Sequence, residues 1–323
     1  MKMRKIVCSF MISVVCFMTA ISGVSATSYD TSKINAAYSK VVEYYKNNNN
    51  LNNADKILAV ESLGLEAESN QFDTSSADLS STSLSKKIVT EVLLGVDPTE
   101  DKKTLESQID ENGNVEGSWG ASSDVWTLYA LYVTSSEKTN LIANKLNDEL
   151  AASSVCGYEW GGTYYADYDT TGWVIEGLAV VNKEKYATTI NKAIDYIKNN
   201  TTMTTTGWVT ADNVDTQSQV LEGMFAYDTN ALLNDSYTVH PVDCLLNTQL
   251  SDGSFPSGYN AEYTTAEVAK TLGTYKNGSV IIKAKKAYDK MMNPEQPDNT
   301  KPAQPTEIGR AHVWTPVTYN YLV

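Results

Sequence analysis

Five acidic side chains, Asp124, Asp167, Asp169, Asp215 and Glu262, stand just before or within the first turn of apolar helical stretches. Aromatic residues crowd the same parts of the chain: Trp119, Trp126, Trp160, Tyr164, Tyr165, Tyr168, Trp173, Trp208 and Tyr259. Two chemistries use such a set. Two carboxylates facing each other across an aromatic-lined cleft can cleave a glycosidic bond, one as acid and the other as base or nucleophile. Aromatic rings alone can stack on a sugar, a corrinoid or an aromatic peptide with no bond broken. Any two of the five acids could form such a pair, Asp167 and Asp169 are the candidate catalytic residues for the reason given with the repeats below, and the aromatic residues with Asp215 are the candidate binding set. Helix capping accounts for the acids more simply. Asp169 stands where an N-cap belongs, Asp215 holds the same place 46 residues later, and Thr264 with Glu267 reads as a capping box. A residue type recurring at each helix start points to a repeated structural task, so the reading leans towards binding and away from catalysis.

Other reactive groups are sparse. The chain has two histidines, and His312 falls in the tail set aside below, so His240 is the one left for a Ser–His–Asp relay, and no nucleophile motif accompanies it. No cofactor motif is present. Cys156 and Cys244 do not amount to a disulfide framework. The formal charge is −14, and it becomes about −17 once Lys2, Arg4 and Lys5 are removed with the leader. Such an acidic surface argues against nucleic acid and anionic membranes as partners.

That leader is residues 1–26. Lys2, Arg4 and Lys5 precede an uncharged apolar run, and Val24-Ser25-Ala26 supplies small residues at a cleavage site, as in a secretory signal peptide. The mature chain is therefore expected to be secreted or held at a bacterial cell surface, with no later stretch apolar enough to insert in the membrane. Residues 27–292 read as one helical domain. Residues 293–305 carry four of the eight prolines and read as an extended linker. Residues 306–323 read as a disordered tail resembling translated sequencing adapter, so the natural protein is expected to continue beyond Pro305 into a further C-terminal domain.

Repeats organise the domain. Segments opening at Gly117, Trp160, Gly207 and Asp252 each run from glycine and an aromatic through a polar turn into a helix with a small residue before Leu or Met. The small positions, Ala130, Gly177, Gly223 and Thr271, are spaced by 47, 46 and 48 residues. A more polar helix follows each, as in 141–152 and 186–197. Weaker helical periodicity covers 34–45, 57–65, 84–96 and 102–109, and no alternating run predicts strands. The count is about twelve helices in six hairpins. A first helix that is apolar nearly all round needs burial on most sides. The fold class expected is thus all-α, an (α/α)6 toroid with apolar helices inside and polar ones outside.

The repeats resemble those of the terpenoid cyclase and protein prenyltransferase superfamily, the squalene-cyclase-type α/α toroids. Gln249-Leu-Ser-Asp-Gly253-Ser-Phe255 is similar to its Q-x-x-x-G-x-(Trp/Phe) motif, Gln108 with Gly117-Ser-Trp119 is a looser copy, and 82–98 is similar to a hairpin of exported bacterial members. The resemblance covers residues 31–292. It implies several activities. In the cyclases an acid protonates an alkene, and Asp167-Tyr-Asp169-Thr170-Thr171 is similar to their D-x-D-D-T motif without its last Asp, which would make Asp169 the proton donor. The prenyltransferases hold zinc with Asp, Cys and His; Asp243, Cys244 and His240 crowd too closely in sequence to share one tetrahedral ion, so no metal is expected. Cys156-Gly-Tyr-Glu lacks the run of the thioester members. The cobalamin carriers bind a corrinoid between their toroid and a second domain. The reading reached is a non-catalytic domain that binds a small-molecule, glycan, corrinoid or peptide ligand or acts as a scaffold, with a cyclase or carbohydrate-active enzyme as the alternative.

Overall fold

The computed structural model describes residues 29–294 apart from 69–71, 73–79, 202–212, 236 and 238. The leader, nearly all of the linker, the tail and Trp208 lie outside the described residues. The described chain is mostly helical: α1 Thr31–Asn47, α2 Ala54–Ser62, α3 Ser81–Leu93, α4 Thr99–Ser107, α5 Ala121–Val133, α6 Thr139–Ser153, α7 Tyr168–Asn200, α8 Val214–Asn234, α9 Pro241–Leu246, α10 Ala261–Asn277 and α11 Val280–Met292. Helices α7 and α8 are each bent where one residue, Asn182 and Asp228, leaves helical geometry. Those bends are the turns between the two helices of a predicted hairpin.

Burial differs from helix to helix. In α5 all but two of the thirteen residues are buried, whereas α1 and α11 bury one stripe each. Helix α2 packs on α3, α3 on α5, α5 on α7, α7 on α8, α8 on α10, and α10 back on α2. Helix α6 lies against α5 and α7, α4 against α3 and α5, and α1 against α10. Helix α11 touches α2, α3, α5 and α10. One continuous hydrophobic core joins these helices, from Ile34 to Tyr288.

Close approach of α7 and α8 requires glycine. A Cβ on Gly223 would lie 2.3 Å from the carbonyl oxygen of Gly172, and one on Gly172 would lie 2.4 Å from that of Gln219. The repeat motif at Gln249 ties the segment after α9 to α1: its Nε2 donates to the carbonyl of Ala37 in α1 at 3.1 Å and to that of Gly253 at 3.2 Å, while Phe255 is fully buried.

Strands β1 Cys156–Trp160 and β2 Thr163–Asp167 correct the expectation of helices alone. They pair antiparallel with Tyr158 opposite Tyr165 and Trp160 opposite Thr163. Gly161 and Gly162 form the two-residue turn at φ +59° and +78°. Two consecutive left-handed residues give the turn whose twist matches a hairpin, and a Gly-Gly pair between aromatic residues is its signature.

Gly223→Ala is expected to cost about 2–3 kcal/mol of stability, because backbone rather than a movable side chain blocks the methyl group. Gly258→Ala, with no atom within 4 Å of the added carbon, is expected to stay within about 0.5 kcal/mol. Urea unfolding of both variants checks the pair; equal midpoints would contradict the close approach.

Candidate functional site

Helix starts decide where the predicted acids point, and they correct the capping assignment. Asp167 is the N-cap of α7, accepting from the backbone N–H groups of Asp169 at 3.3 Å and Thr170 at 2.9 Å. Asn213 caps α8 and Asn260 caps α10. Neither Asp169, Asp215 nor the Thr264–Glu267 pair caps a helix. With the cap two residues earlier, the first turn carries Asp169 and Asp215 inwards. Burial, reinforced by the Asp167 carboxylate, lifts the Asp169 carboxyl to about 7, with Asp215 and Glu267 also contributing. Burial raises Asp215 as well.

The five acids therefore do not gather as one set. Asp169 and Asp215 come together. Asp167 is spent on the helix end. Asp124 is fully buried, 2.9 Å from Lys145 Nζ and 2.6 Å from the donating hydroxyl of Ser118. Glu262 stands on the surface, 2.8 Å from Lys56 Nζ.

Below Asp169 and Asp215 lies a charged interior that the apolar helices were not expected to hold. Lys270 Nζ is 2.9 Å from Glu267 Oε2 and 3.9 Å from Glu222 Oε2. Gln219 Nε2 donates to Glu267 at 3.2 Å, and Thr274 donates to Glu222 at 3.3 Å. The hydroxyls of Tyr129 and Ser279 reach Glu176 at 3.0 and 2.6 Å. Trp126 has Lys86 Nζ 4.5 Å and Lys270 Nζ 5.4 Å from its ring centre, and Trp173 lies 5.9 Å away. Glu176, Glu222, Glu267 and Lys270 are all buried. Burial raises Glu176, with Ser279, Lys270 and Tyr129 opposing the shift, and raises Glu222 well above its ordinary value. Burial alone would lower Lys270, but the Glu267 and Glu222 carboxylates overcome it and raise it. The repeat spacing explains the assembly. Tyr129, Glu176, Glu222 and Lys270 follow one another at 47, 46 and 48 residues, as do Trp126, Trp173, Gln219 and Glu267 one turn earlier. That register was the available signal: a charged residue at the same place within three otherwise apolar helices.

Trp126 and Trp173 are thus packed beside charged and hydrogen-bonding side chains rather than carbon alone.

Three of the remaining predicted aromatics, Trp119, Trp160 and Tyr165, form a surface. Trp119 is 62% and Trp160 66% exposed, and their ring centres are 6.3 Å apart. Tyr158, absent from the predicted set, stacks on Tyr165 across the hairpin at 5.6 Å and 20°. Opposed residues share a face, so Tyr158, Trp160 and Tyr165 project together beside Trp119. Tyr164 is exposed on the other face, its hydroxyl donating to Glu149 at 2.9 Å. Tyr168 is half-buried against the core. Tyr259 is 91% exposed near the start of α10.

His240 caps α9 through Nδ1, accepting from the backbone of Val242, and Asp243 pairs with Lys33 and Tyr29. Cys156 and Cys244 are buried and are not joined in a disulfide. Among the described residues no group of three His, Cys, Asp or Glu is arranged to hold a metal ion, and no helix is long and apolar enough to cross a membrane. No protein-family model, no curated protein and no solved structure matches the chain.

Two measurements test the interior. Lys270→Met strands buried carboxylates and is expected to cost about 3–5 kcal/mol; a loss below 1 kcal/mol would contradict the ion pairs. The folded-state pKa of Asp169 is raised, so its protonated form is the one the fold favours: stability is full below the unfolded value near 4 and falls as pH rises towards 7. Asp169→Asn is expected to flatten that fall by about 1–2 kcal/mol, less than full linkage because the carboxyl is partly solvated. Melting curves from pH 4 to pH 8 read the slope, and an unchanged slope would place Asp169 in water.

Proposed function

We propose that this chain is an exported α/α toroid of the squalene-cyclase-repeat kind that binds glycan without cleaving it, through the aromatic surface of the β1–β2 hairpin and Trp119. The cyclic order of helix packing supports the toroid, since α10 returns to α2. The leader at residues 1–26 supports secretion or display at a cell surface.

One observation carries the binding reading. Trp119 and Trp160 stand nearly two-thirds exposed with ring centres 6.3 Å apart, next to Tyr158 and Tyr165 stacked across the hairpin. Leaving a large aromatic side chain in water forgoes about 1.5–3 kcal/mol of burial each. A tight exposed cluster of them marks a surface made to be covered. Sugar rings present C–H faces that stack on such rings and hydroxyls that stay wet at the edges. Rings this exposed suit a polysaccharide chain laid along them better than a corrinoid needing burial on both sides.

A hydrolytic reading keeps one support, the Asp169 and Asp215 carboxyls with their raised pKa values. Their neighbours are Thr216, Thr264 and Glu267, not the exposed rings, which favours binding over cleavage.

Trp119→Ala with Trp160→Ala is expected to weaken glycan binding at least about tenfold, while stability changes by less than about 0.5 kcal/mol because both rings are exposed. Affinity electrophoresis against β-glucan, mannan and xylan, with melting curves alongside, checks both parts. Unaltered retardation of the double variant, or release of reducing ends that Asp169→Asn abolishes, would overturn the proposal.

A further inference from the structure

A cleft between the end of α1 and the start of α10 has no part in the hairpin surface. It encloses about 300 Å3 and is lined by Tyr44, Tyr45, the asparagine run 47–50, Lys56 and Glu262. A second cavity of about 90 Å3, between the helix-capping residues Asn53 and Asn260, shares Lys56 and Glu262 with it and continues inwards to Asp55 and Tyr263. We infer that this cleft is a second saccharide subsite, selective for neutral glycan; the inference rests on the glycan-binding reading above.

Its chemistry is that of a hydroxyl-rich ligand. An amide both donates and accepts, as a sugar hydroxyl does, and amides supply most of the cleft's polar groups. The cleft's one cation and one of its acids cancel: Lys56 Nζ and Glu262 Oε2 are 2.8 Å apart. No unbalanced positive charge is left to draw a carboxylated or sulfated sugar, and the chain's formal charge of −14 repels one. The ring of Tyr44, half-buried at the cleft, offers a stacking face, and Tyr259 flanks the Asn260 cap fully in solvent. The volume sits at the lower end of the range for small-ligand pockets, about 300–1,000 Å3, enough for a short saccharide.

Position adds a second argument. Asn53 and Asn260 cap the starts of α2 and α10, and Asp215 at the start of α8 is held by Thr264 of α10. Asp169 at the start of α7 feels Asp215, and β1 packs on α5 and α7. The cleft and the aromatic hairpin therefore lie at the one end of the molecule where these helices begin. A glycan chain long enough to touch both gains from each without new contacts, by effective concentration.

Calorimetric titration of the mature chain with gluco-, manno- and xylo-oligosaccharides tests this, comparing disaccharides with octasaccharides. Tyr44→Ala with Glu262→Gln is expected to weaken octasaccharide binding about tenfold, as is the Trp119→Ala, Trp160→Ala variant, and Tyr44→Phe is expected to restore it. Melting curves confirm that each variant is folded. Loss in the hairpin variant with no change in the cleft variant would overturn the second subsite and leave the aromatic surface standing. Loss in the cleft variant alone would support the cleft and overturn the hairpin reading. Binding to none of the neutral series by the wild type would overturn both, and equal binding of acidic oligosaccharides would overturn the selectivity.

Discussion

Everything inside this domain is arranged around Lys270. A lysine with no access to water is tolerable only if carboxylates meet it, and Glu267 and Glu222 do so from α10 and α8. Those acids are in turn too many for one lysine, so protonation and hydroxyl donors settle the rest: Tyr129 from α5 and Ser279 from the turn before α11 hold Glu176 of α7. Four helices and the segment entering a fifth are thereby tied to one polar centre. An apolar centre of equal volume would be as stable or more so, since desolvating ions costs nearly as much as pairing them returns. What the ions add is selectivity of register, because shifting one helix by a turn would leave a buried charge facing carbon.

Packing and polarity depend on each other. The touching backbones at Gly172 and Gly223 draw α7 and α8 close enough for Glu176 and Glu222 to act on one another. Caps at Asp167, Asn213 and Asn260 then fix the rotation of each helix start, which sends Asp169 and Asp215 inwards and leaves the β1–β2 hairpin before α7 and Tyr259 before α10 outside. Those outer loops carry the exposed rings. The interior thus frames the helix starts, which carry the surface where glycan is proposed to bind.

Much of this was legible in the residues. The repeat spacing located the buried helices because each must place a small residue where a neighbour crosses, and the helical stripes located α1, α4 and α6. Three things were misread, each for a physical reason. Gly161-Gly162 was taken for one more repeat loop, although two flexible residues between aromatics are what a tight hairpin needs. Asp169 was placed at the cap because it adjoins the apolar stretch, whereas the helix begins two residues earlier and Asp167 has the bonds. The charged centre was hidden because Glu176, Glu222 and Lys270 look like surface residues one at a time; only their common position in successive repeats shows that they face one another. Function was less legible than fold, since stacking rings and core rings have the same residue types and differ only in exposure.

The most direct test of the account is acrylamide quenching of tryptophan fluorescence with and without an octasaccharide that binds. Trp119 and Trp160 are the exposed indoles among the described residues, while Trp126 is buried. The account predicts that bound glycan protects a strongly quenched population, and that this population is missing in the Trp119→Ala, Trp160→Ala variant. Quenching unchanged by saturating glycan would contradict it, because a ligand held elsewhere leaves those two rings in water.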